Sequence, residues 1–246
     1  MKNIYVRNHL GLGDHLICIG LYRSLAMENE EVVVPARSSN YKSLSFFLRD
    51  LENVRIIQFP SEIAEHSMNT LGSLARKIGY EDLKLGHWGV NFMNERRFDE
   101  SFYFQAGIPF ENRWSYFKYR RDKDEEKELM ESYDVKSGNY IFLHEDITRN
   151  FRINRDLIQG DLEIVEPRIG RAKESLASYR LLIENAAQVH VIESSFAAFV
   201  ESFDVSGVRF AHRYARPEAM NNPLHEFTYL HNWIIYTSEA NDLSRL

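Results

Sequence analysis

The sequence predicts an α/β protein of two lobes, each built on a parallel β-sheet, with a cleft between the lobes. Strand and helix patterns alternate over the first sixty residues, and the alternation restarts near residue 140. Several of the strand patterns are unbroken apolar runs, which are typical of parallel strands covered on both faces. With 246 residues, 44% of them hydrophobic, the chain is long enough to bury one large core or two smaller ones.

The N-terminal part reads as strand, helix, strand, helix, strand. A β-rich run at Asn3–Val6 is followed by a glycine-containing turn and a helical pattern from about Asp14 to Met27. A second strand is predicted at Glu31–Pro35, a second helix at Ser39–Asp50 and a third strand at Val54–Phe59. This order implies right-handed crossovers and therefore a parallel sheet.

The middle of the chain carries weaker signals. Ser61–Tyr80 has a helical pattern that Gly72 interrupts. Residues 85–116 are rich in aromatic side chains, which suit either a core stripe or a stacking surface for sugars, and the sequence leaves both readings open. The charged run Arg120–Glu131 predicts a solvated helix or linker. We place the lobe boundary there, which gives lobes of residues 1–120 and 121–246.

The C-terminal part repeats the alternation with short elements. Strands are predicted at Tyr140–His144, Leu162–Val165, Val189–Ile192, Val208–Ala211 and Trp233–Tyr236, and helices at Ser175–Ala187 and Ser194–Phe203.

Composition excludes several classes of protein. The formal charge is −6 and the basic residues are scattered, which argues against nucleic acid as a partner. Cys18 is the only cysteine, so the chain forms no internal disulfide and no cysteine-based zinc site. No run of eighteen apolar residues predicts a transmembrane segment. We expect a cytoplasmic protein and leave peripheral membrane contact open.

The first candidate turn follows the first strand and reads RNHLGLGDH, ending at His15. Gly11 and Gly13 permit tight backbone approach and positive φ angles, and Asp14 lies where the helix is predicted to begin. A dinucleotide-binding fingerprint needs a third glycine where Leu16 stands, and no Lys-Ser/Thr pair of a Walker loop follows. Asp14 is therefore either the helix N-cap or a carboxylate that accepts a proton from an attacking hydroxyl.

The second candidate turn, VHVIESSF, lies between a strand and a helix and ends at Phe196. The first helical turn carries no acidic side chain, and its free amides suit a phosphate. Ser194 and Ser195 either add hydroxyl donors to such a site or simply cap the helix. Glu193 would repel a phosphate, so we expect it to bind ribose or sugar hydroxyls or to be structural.

The third candidate turn, HEDITRNFRINR, begins at His144 and ends at Arg155. With Arg149 and Arg152 it contains three arginines within seven residues, and a guanidinium holds a diphosphate bidentately and neutralises a leaving group. His144 forms either a general-base pair with Glu145 or a strand-end hydrogen bond. No His-x-His or His-Glu-x-x-His spacing is present, so we predict no catalytic metal.

With these turns, the chain resembles the two-lobed glycosyltransferases of the GT-B fold, especially the heptosyltransferase-like family. Members open with a strand, a small-residue turn and Gly-Asp at the start of a helix, to which LGDHL at Leu12–Leu16 is similar. The late strand, polar turn and donor-contacting helix of the family resemble Val189–Phe203, although the usual Asp-Ser/Thr-Gly turn with a following histidine is absent. The family's basic residue after the first strand of the second lobe is commonly lysine, and Arg149 and Arg152 are the candidates here.

The resemblance implies two Rossmann-like lobes, with residues 1–120 on the acceptor side and residues 121–246 on the side of the nucleotide-sugar donor. It implies transfer of a sugar from a nucleotide diphosphate sugar to a carbohydrate or other hydroxyl acceptor, with Asp14 as the catalytic base. Direct displacement would invert the anomeric carbon, and arginine and amide groups would replace a metal or other cofactor. The donor-binding residues that we predict are Arg149, Arg152, Glu193, Ser194, Ser195 and Phe196.

Two alternatives remain open. The chain is shorter than typical members of the family, which is compatible with a trimmed, non-catalytic protein that retains nucleotide-sugar or glycan binding. Another phosphate-binding α/β enzyme is the second alternative. The missing third glycine argues against a dinucleotide-dependent epimerase, and no Asp-x-Asp or Cys-x5-Arg sequence supports the common phosphatases.

Overall fold

The computed structural model describes residues 2–60, 64–168, 175–216 and 223–238. The chain divides into two compact units, residues 1–120 and residues 121–246.

The first unit contains a four-stranded parallel sheet in the order β3-β2-β1-β4. Its strands are β1 Asn3–Arg7, β2 Glu31–Arg37, β3 Val54–Phe59 and β4 Glu81–Lys84, and its helices are α1 Leu12–Ile17, α2 Ile19–Glu28, α3 Ser38–Leu48, α4 Ala64–Lys77, α5 Phe98–Ala106 and α6 Asn112–Ser115, with a 3-10 turn at Gly86–Trp88. The three valines of β2 are buried, as the apolar run predicted.

The helix predicted from Asp14 to Met27 is two helices that meet at Cys18. The Ile17 carbonyl accepts a hydrogen bond at 2.8 Å from the hydroxyl of Tyr103, which is 86 positions away. In a continuous helix this carbonyl would accept a hydrogen bond from a backbone amide of the next turn. Gly20 then packs α2 against α6, because a Cβ at this position would lie 2.0 Å from the Asn112 carbonyl oxygen. The break is therefore caused by tertiary contacts that the local sequence does not contain.

Strand β4 was not predicted, because its sequence, EDLK, contains no β-branched residue. It pairs with β1 and is fixed by Arg7, whose Nε donates to Asp82 Oδ1 at 3.2 Å. Gly72 in α4 serves the same contact, since a Cβ there would lie 1.8 Å from Arg7 Nη2. The helix predicted at Ser61–Tyr80 is present as α4, and residues 61–63 lie outside the described ranges.

The aromatic segment, residues 85–116, combines buried and partly exposed side chains. Phe102 and Tyr103 are fully buried, and Phe110 packs edge-on to Tyr103 with ring centroids 5.5 Å apart. A buried ion pair between Asp99 and Arg113 lies in the same segment. Packing accounts for Phe102 and Tyr103, whereas Phe104 is 48% exposed, and the reading as a stacking surface for sugars stays a prediction.

The second unit contains a five-stranded parallel sheet in the order β6-β5-β7-β8-β9. Its strands are β5 Tyr140–His144, β6 Glu163–Val165, β7 Gln188–Val191, β8 Val208–His212 and β9 Trp233–Tyr236, and its helices are α7 Lys123–Glu131, α8 Arg180–Glu184 and α9 Ser195–Val200, with 3-10 turns at Ile147–Arg149, Arg155–Leu157, Leu176–Tyr179, Arg213–Ala215 and Pro223–His225. The two parallel sheets confirm the predicted fold class.

Two predicted helices of this unit differ in detail. The charged run forms α7, and Asp122 caps it by accepting a hydrogen bond from the Glu125 amide at 3.1 Å. The single helix predicted at Ser175–Ala187 is a 3-10 turn followed by the shorter α8, because the Ser175 and Ser178 side chains close a capping box at its start. In the described part of the chain, no helix has both the length and the apolar composition needed to cross a membrane.

Candidate functional site

Asp14 lies in the first turn of α1, at the edge of the sheet where β1 ends. The helix begins at Leu12 with Gly11 as its N-cap, so Asp14 is the third helical residue and the N-cap interpretation is wrong. Its side chain is 26% exposed. A carboxylate in the first turn interacts favourably with the helix dipole and remains accessible to a reactant.

The glycine turn serves Asp14 in a way that differs from the prediction. Gly11 has φ −68° and ψ 142°, which any residue adopts, and Gly13 is not among the described residues with positive φ. A Cβ at Gly11 would lie 2.7 Å from Asp14 Oδ2. The Asp14 carboxylate thus lies against Gly11, and a larger residue at position 11 would displace it.

Two histidines, His9 and His87, lie beside this turn, and the sequence analysis predicted neither. His9 Nδ1 lies 3.8 Å from Asp14 Oδ2, and His87 Nδ1 lies 2.6 Å from His9 Nε2. His9 is only five positions before Asp14, so its presence in the turn could have been noticed. His87 is 78 positions from His9 and is brought there by the pairing of β4 with β1.

A buried polar network lies behind the turn. The Asn8 amide donates to the Tyr22 hydroxyl at 2.8 Å, and that hydroxyl lies 2.9 Å from His15 Nδ1. Burial lowers the pKa of His15 to about 3, so the ring is neutral at physiological pH. These side chains attach α1 and α2 to the end of β1 and hold the Asp14 turn in place.

In the second unit, the turn after β5 is organised around Glu145. Its carboxylate accepts hydrogen bonds from the Ile153 amide at 2.9 Å and from Arg152 Nη1 at 2.8 Å, and Arg155 Nη2 lies 3.2 Å away. Burial alone would raise the pKa of the Glu145 carboxyl, but these donors outweigh it and hold the pKa below its ordinary value. Glu145 is thus ionised and holds the loop in place through these hydrogen bonds.

Arg149 pairs with Asp146 rather than with Glu145. Its Nε donates to Asp146 Oδ2 at 2.6 Å, and its guanidinium lies 5.0 Å from the centre of the Phe151 ring. The side chains of Arg149 and Arg152 are 50% and 51% exposed. Each arginine of the loop therefore has an acidic partner, and Arg155 also bonds Glu166 at 2.7 Å. A phosphate would have to compete with these carboxylates for the charge of the arginines.

The turn after β7 contains a serine cap. Ser194 is the N-cap of α9, and its hydroxyl accepts a hydrogen bond from the Phe196 amide at 3.2 Å. The same hydroxyl lies 3.3 Å from His144 Nδ1, and the His144 ring stacks on Phe196 at 4.1 Å. Burial lowers the pKa of His144 to about 4. His144 thus contacts Ser194 and Phe196, whereas Glu145 contacts the arginines, and the two do not act as the predicted general-base pair.

Glu193 is tied to residues that follow β8. Arg213 Nε lies 2.9 Å from Glu193 Oε1, and Arg216 Nη1 donates to the Glu193 carbonyl oxygen at 3.0 Å. Burial raises the pKa of Glu193 to about 7 against the effect of these arginines. Of the two roles predicted for Glu193, the ion pair with Arg213 favours the structural one. No local signal marked Arg213 and Arg216, which reach Glu193 because β8 lies beside β7.

No protein-family model matches the chain, and no curated protein matches its sequence. Solved structures do match. The Escherichia coli heptosyltransferase WaaC with ADP-2-deoxy-2-fluoro heptose is 10% identical, with a TM-score of 0.53 over 99% of this chain and 95% of that chain. The glycosyl transferase family 9 protein of Veillonella parvula is 9% identical, with a TM-score of 0.51 over 86% and 80%.

The chain has the fold of these glycosyltransferases. The GT-B-like architecture that the resemblance implied is therefore confirmed across almost the whole chain. At this level of identity the match concerns the fold, and the activity has to be argued from the residues.

Proposed function

We propose that the chain is a glycosyltransferase that moves a sugar from a nucleotide diphosphate sugar to a hydroxyl acceptor. The fold supports this proposal, since the E. coli protein of the same fold is described with an ADP-sugar analogue. Fold alone does not assign an activity, so the proposal depends on the residues at the ends of the strands.

The observation that carries the proposal is the placement of Asp14. Its carboxylate is partly exposed at the end of a parallel strand, where ligands of α/β sheets bind. It caps no helix, and both Gly11 and His9 adjoin it. We assign Asp14 the role of base, which accepts the proton of the acceptor hydroxyl as that oxygen attacks the anomeric carbon.

We assign donor binding to the second unit. Arg149 or Arg152 would leave its carboxylate partner for the diphosphate and stabilise the negative charge of the leaving group. Helix α9 has only six residues, and Ser194 already accepts the Phe196 amide, so we expect the arginines to contribute more than the helix. Direct displacement predicts inversion, and arginine supplies the positive charge without a metal.

A second candidate is a protein that binds a nucleotide sugar or glycan without turning it over. The pairing of Arg149 with Asp146 and of Arg152 with Glu145 favours it, because the cations are already neutralised. The two candidates differ in what Asp14 does: a transferase needs its carboxylate, whereas a binding protein does not.

The test begins with thermal-shift screening of the full chain against ADP-, GDP-, UDP- and CDP-sugars. For a sugar that binds, Asp14→Asn should retain binding and lower turnover by ~10²–10⁴-fold, the usual contribution of a general base. Asp204→Asn is the control, because that side chain is 98% exposed and belongs to none of the three turns. Binding without turnover by the wild type would favour the binding protein, and the absence of any shift would contradict both candidates.

A further inference from the structure

The residues packed around His9 fix the orientation of its ring. The ring lies edge-on to Phe92 and Phe102, each with a centroid distance of 5.4 Å. Gly86 has φ 63°, and a Cβ at this position would lie 2.3 Å from His9 Nε2. Residue 86 is therefore restricted to glycine both by its backbone conformation and by the histidine ring. The aromatic segment thus holds His9 in one position.

Hydrogen bonding defines which nitrogen of His9 carries the proton. The His87 amide donates to His9 Nε2 at 3.0 Å. A backbone N–H is always a donor, so Nε2 is unprotonated and the proton of the neutral ring is on Nδ1. His87 Nδ1 lies 2.6 Å from the same nitrogen, and its role as donor or acceptor follows from the tautomers of both rings. A charged His9 would direct an Nε2–H at the His87 amide, so this backbone contact opposes protonation.

The Nδ1–H of His9 is the side of the ring nearest Asp14. The distance from Nδ1 to Asp14 Oδ2 is 3.8 Å, longer than a hydrogen bond, and such contacts in active sites often shorten when substrate binds. The buried ring of His15 also interacts electrostatically with His9, and Arg37 acts on His15 in the same sense.

We propose that His9 is a positioning residue for Asp14. Held neutral with its proton on Nδ1, it donates toward the carboxylate and orients it without removing its charge or its capacity to accept a proton. Because Nδ1 already carries a hydrogen, His9 does not relay the proton onward. The inference rests on the proposed function, since it takes Asp14 as the base.

The tautomer is measured without any substrate. In the ¹⁵N-labelled full chain, long-range ¹H–¹⁵N spectra of the histidine rings should show His9, assigned by loss of its signals in His9→Gln, protonated on Nδ1 at neutral pH. Asp14→Asn should shift the His9 Nδ1 resonance and leave that of His231 unchanged. His231 is the matched control, since its side chain is also 21% exposed and its Nδ1 lies 3.6 Å from Asp204. Protonation on Nε2, or no response to Asp14→Asn, overturns the proposal.

The catalytic role is measured with the nucleotide sugar that the screen identifies. His9→Phe keeps the ring packing and lacks nitrogen, whereas His9→Gln keeps a neutral donor and an acceptor. We expect kcat to fall about tenfold or more in His9→Phe with the KM for the donor unchanged, partial recovery in His9→Gln, and no change in His231→Gln. Better activity in His9→Phe than in His9→Gln would show that only packing matters.

The two experiments separate the two proposals. A wild-type protein that turns over no nucleotide sugar contradicts the proposed function and the catalytic purpose of His9. The spectra still decide whether His9 holds the Nδ1–H tautomer beside Asp14. If the wild type is active and the spectra show an Nε2–H ring, the positioning role alone fails.

Discussion

Asp14 in the first unit and Glu145 in the second both lie just beyond the end of a strand, yet their surroundings are opposite. The Asp14 side chain is 26% exposed, and His9 Nδ1 lies 3.8 Å from its carboxylate. The Glu145 side chain is 4% exposed and is held by two arginines and the Ile153 amide. The Asp14 carboxylate remains accessible to a reactant, whereas the Glu145 carboxylate holds a loop in place through its hydrogen bonds.

The comparison extends to the cations. In the described part of the second unit, the arginines of the β5 turn each have a carboxylate partner, and Arg213 bonds both Glu193 and Glu226. A charged residue type in a turn thus does not reveal whether its charge is available. Availability depends on partners that the sheet topology supplies, and the following predictions test that difference.

The largest predicted effect is a loss of stability at acidic pH. Burial holds the pKa of His144 and of His190 at about 4 and that of His212 at about 3, below the ordinary histidine value of 6.5, and all three lie in the second unit. The unfolded chain binds more protons between pH 6.5 and these values, so stability falls as the pH is lowered through that window, by about 1.4 kcal/mol per histidine and pH unit.

Glu193 acts in the opposite direction. Its pKa, raised to about 7, makes the folded state bind the extra proton between pH 7 and the ordinary glutamate value of 4.5, so acid is stabilising there. Three histidines outweigh one glutamate, and in the described part of the first unit His15 is the buried histidine with a lowered pKa. We expect the second unit to lose hydrogen-exchange protection at a higher pH than the first, and His144→Gln to reduce the difference. Loss of the first unit before the second would refute this.

The second effect separates a structural carboxylate from a functional one. Glu145→Ala leaves the buried Ile153 amide unpaired and should lower the free energy of unfolding by about 1–3 kcal/mol. Asp14→Ala removes a partly exposed carboxylate that interacts favourably with the helix dipole, and it should cost under about 1 kcal/mol. Denaturant unfolding of both variants tests this, with Glu145→Gln as the control that keeps an acceptor for Ile153. Equal destabilisation by the two alanine variants would mean that Asp14 is also structural.

The parallel sheets could be predicted because most of their strands have a recognisable local sequence pattern. The bounds predicted for Val54–Phe59, Tyr140–His144 and Trp233–Tyr236 are those observed, since each is a run of apolar or β-branched residues between polar turns. β4 has no such run, and its strand conformation depends on pairing with β1. The break at Cys18 likewise depends on Tyr103, which no local pattern connects with α1.

The candidate site could be predicted only in part, for the same reason. Gly11 and Asp14 are neighbours in sequence, and the serine cap at Ser194 is a local signal, so both turns were found. His87 and Arg213 reach their turns through strand order, from far along the chain. Sequence patterns therefore locate turns, whereas the partners that tune them require the fold.

The smallest effect concerns the half-exposed arginines of the second unit. Because exposed ion pairs contribute about 0–1 kcal/mol, Arg149→Gln should change the free energy of unfolding by less than about 1 kcal/mol. Arg152→Gln should cost more, because its partner Glu145 is only 4% exposed, although Arg155 and the Ile153 amide still bind that carboxylate. If Arg149 or Arg152 holds the donor diphosphate, its variant should bind the matching nucleoside diphosphate about tenfold more weakly, a loss of about 1.4 kcal/mol. Calorimetric titration measures this, and Lys127→Gln, which breaks an exposed pair with Glu131, is the matched control. Unchanged affinity in both arginine variants would mean that their carboxylate partners keep them when the nucleotide binds, and the leaving group would then need other cations.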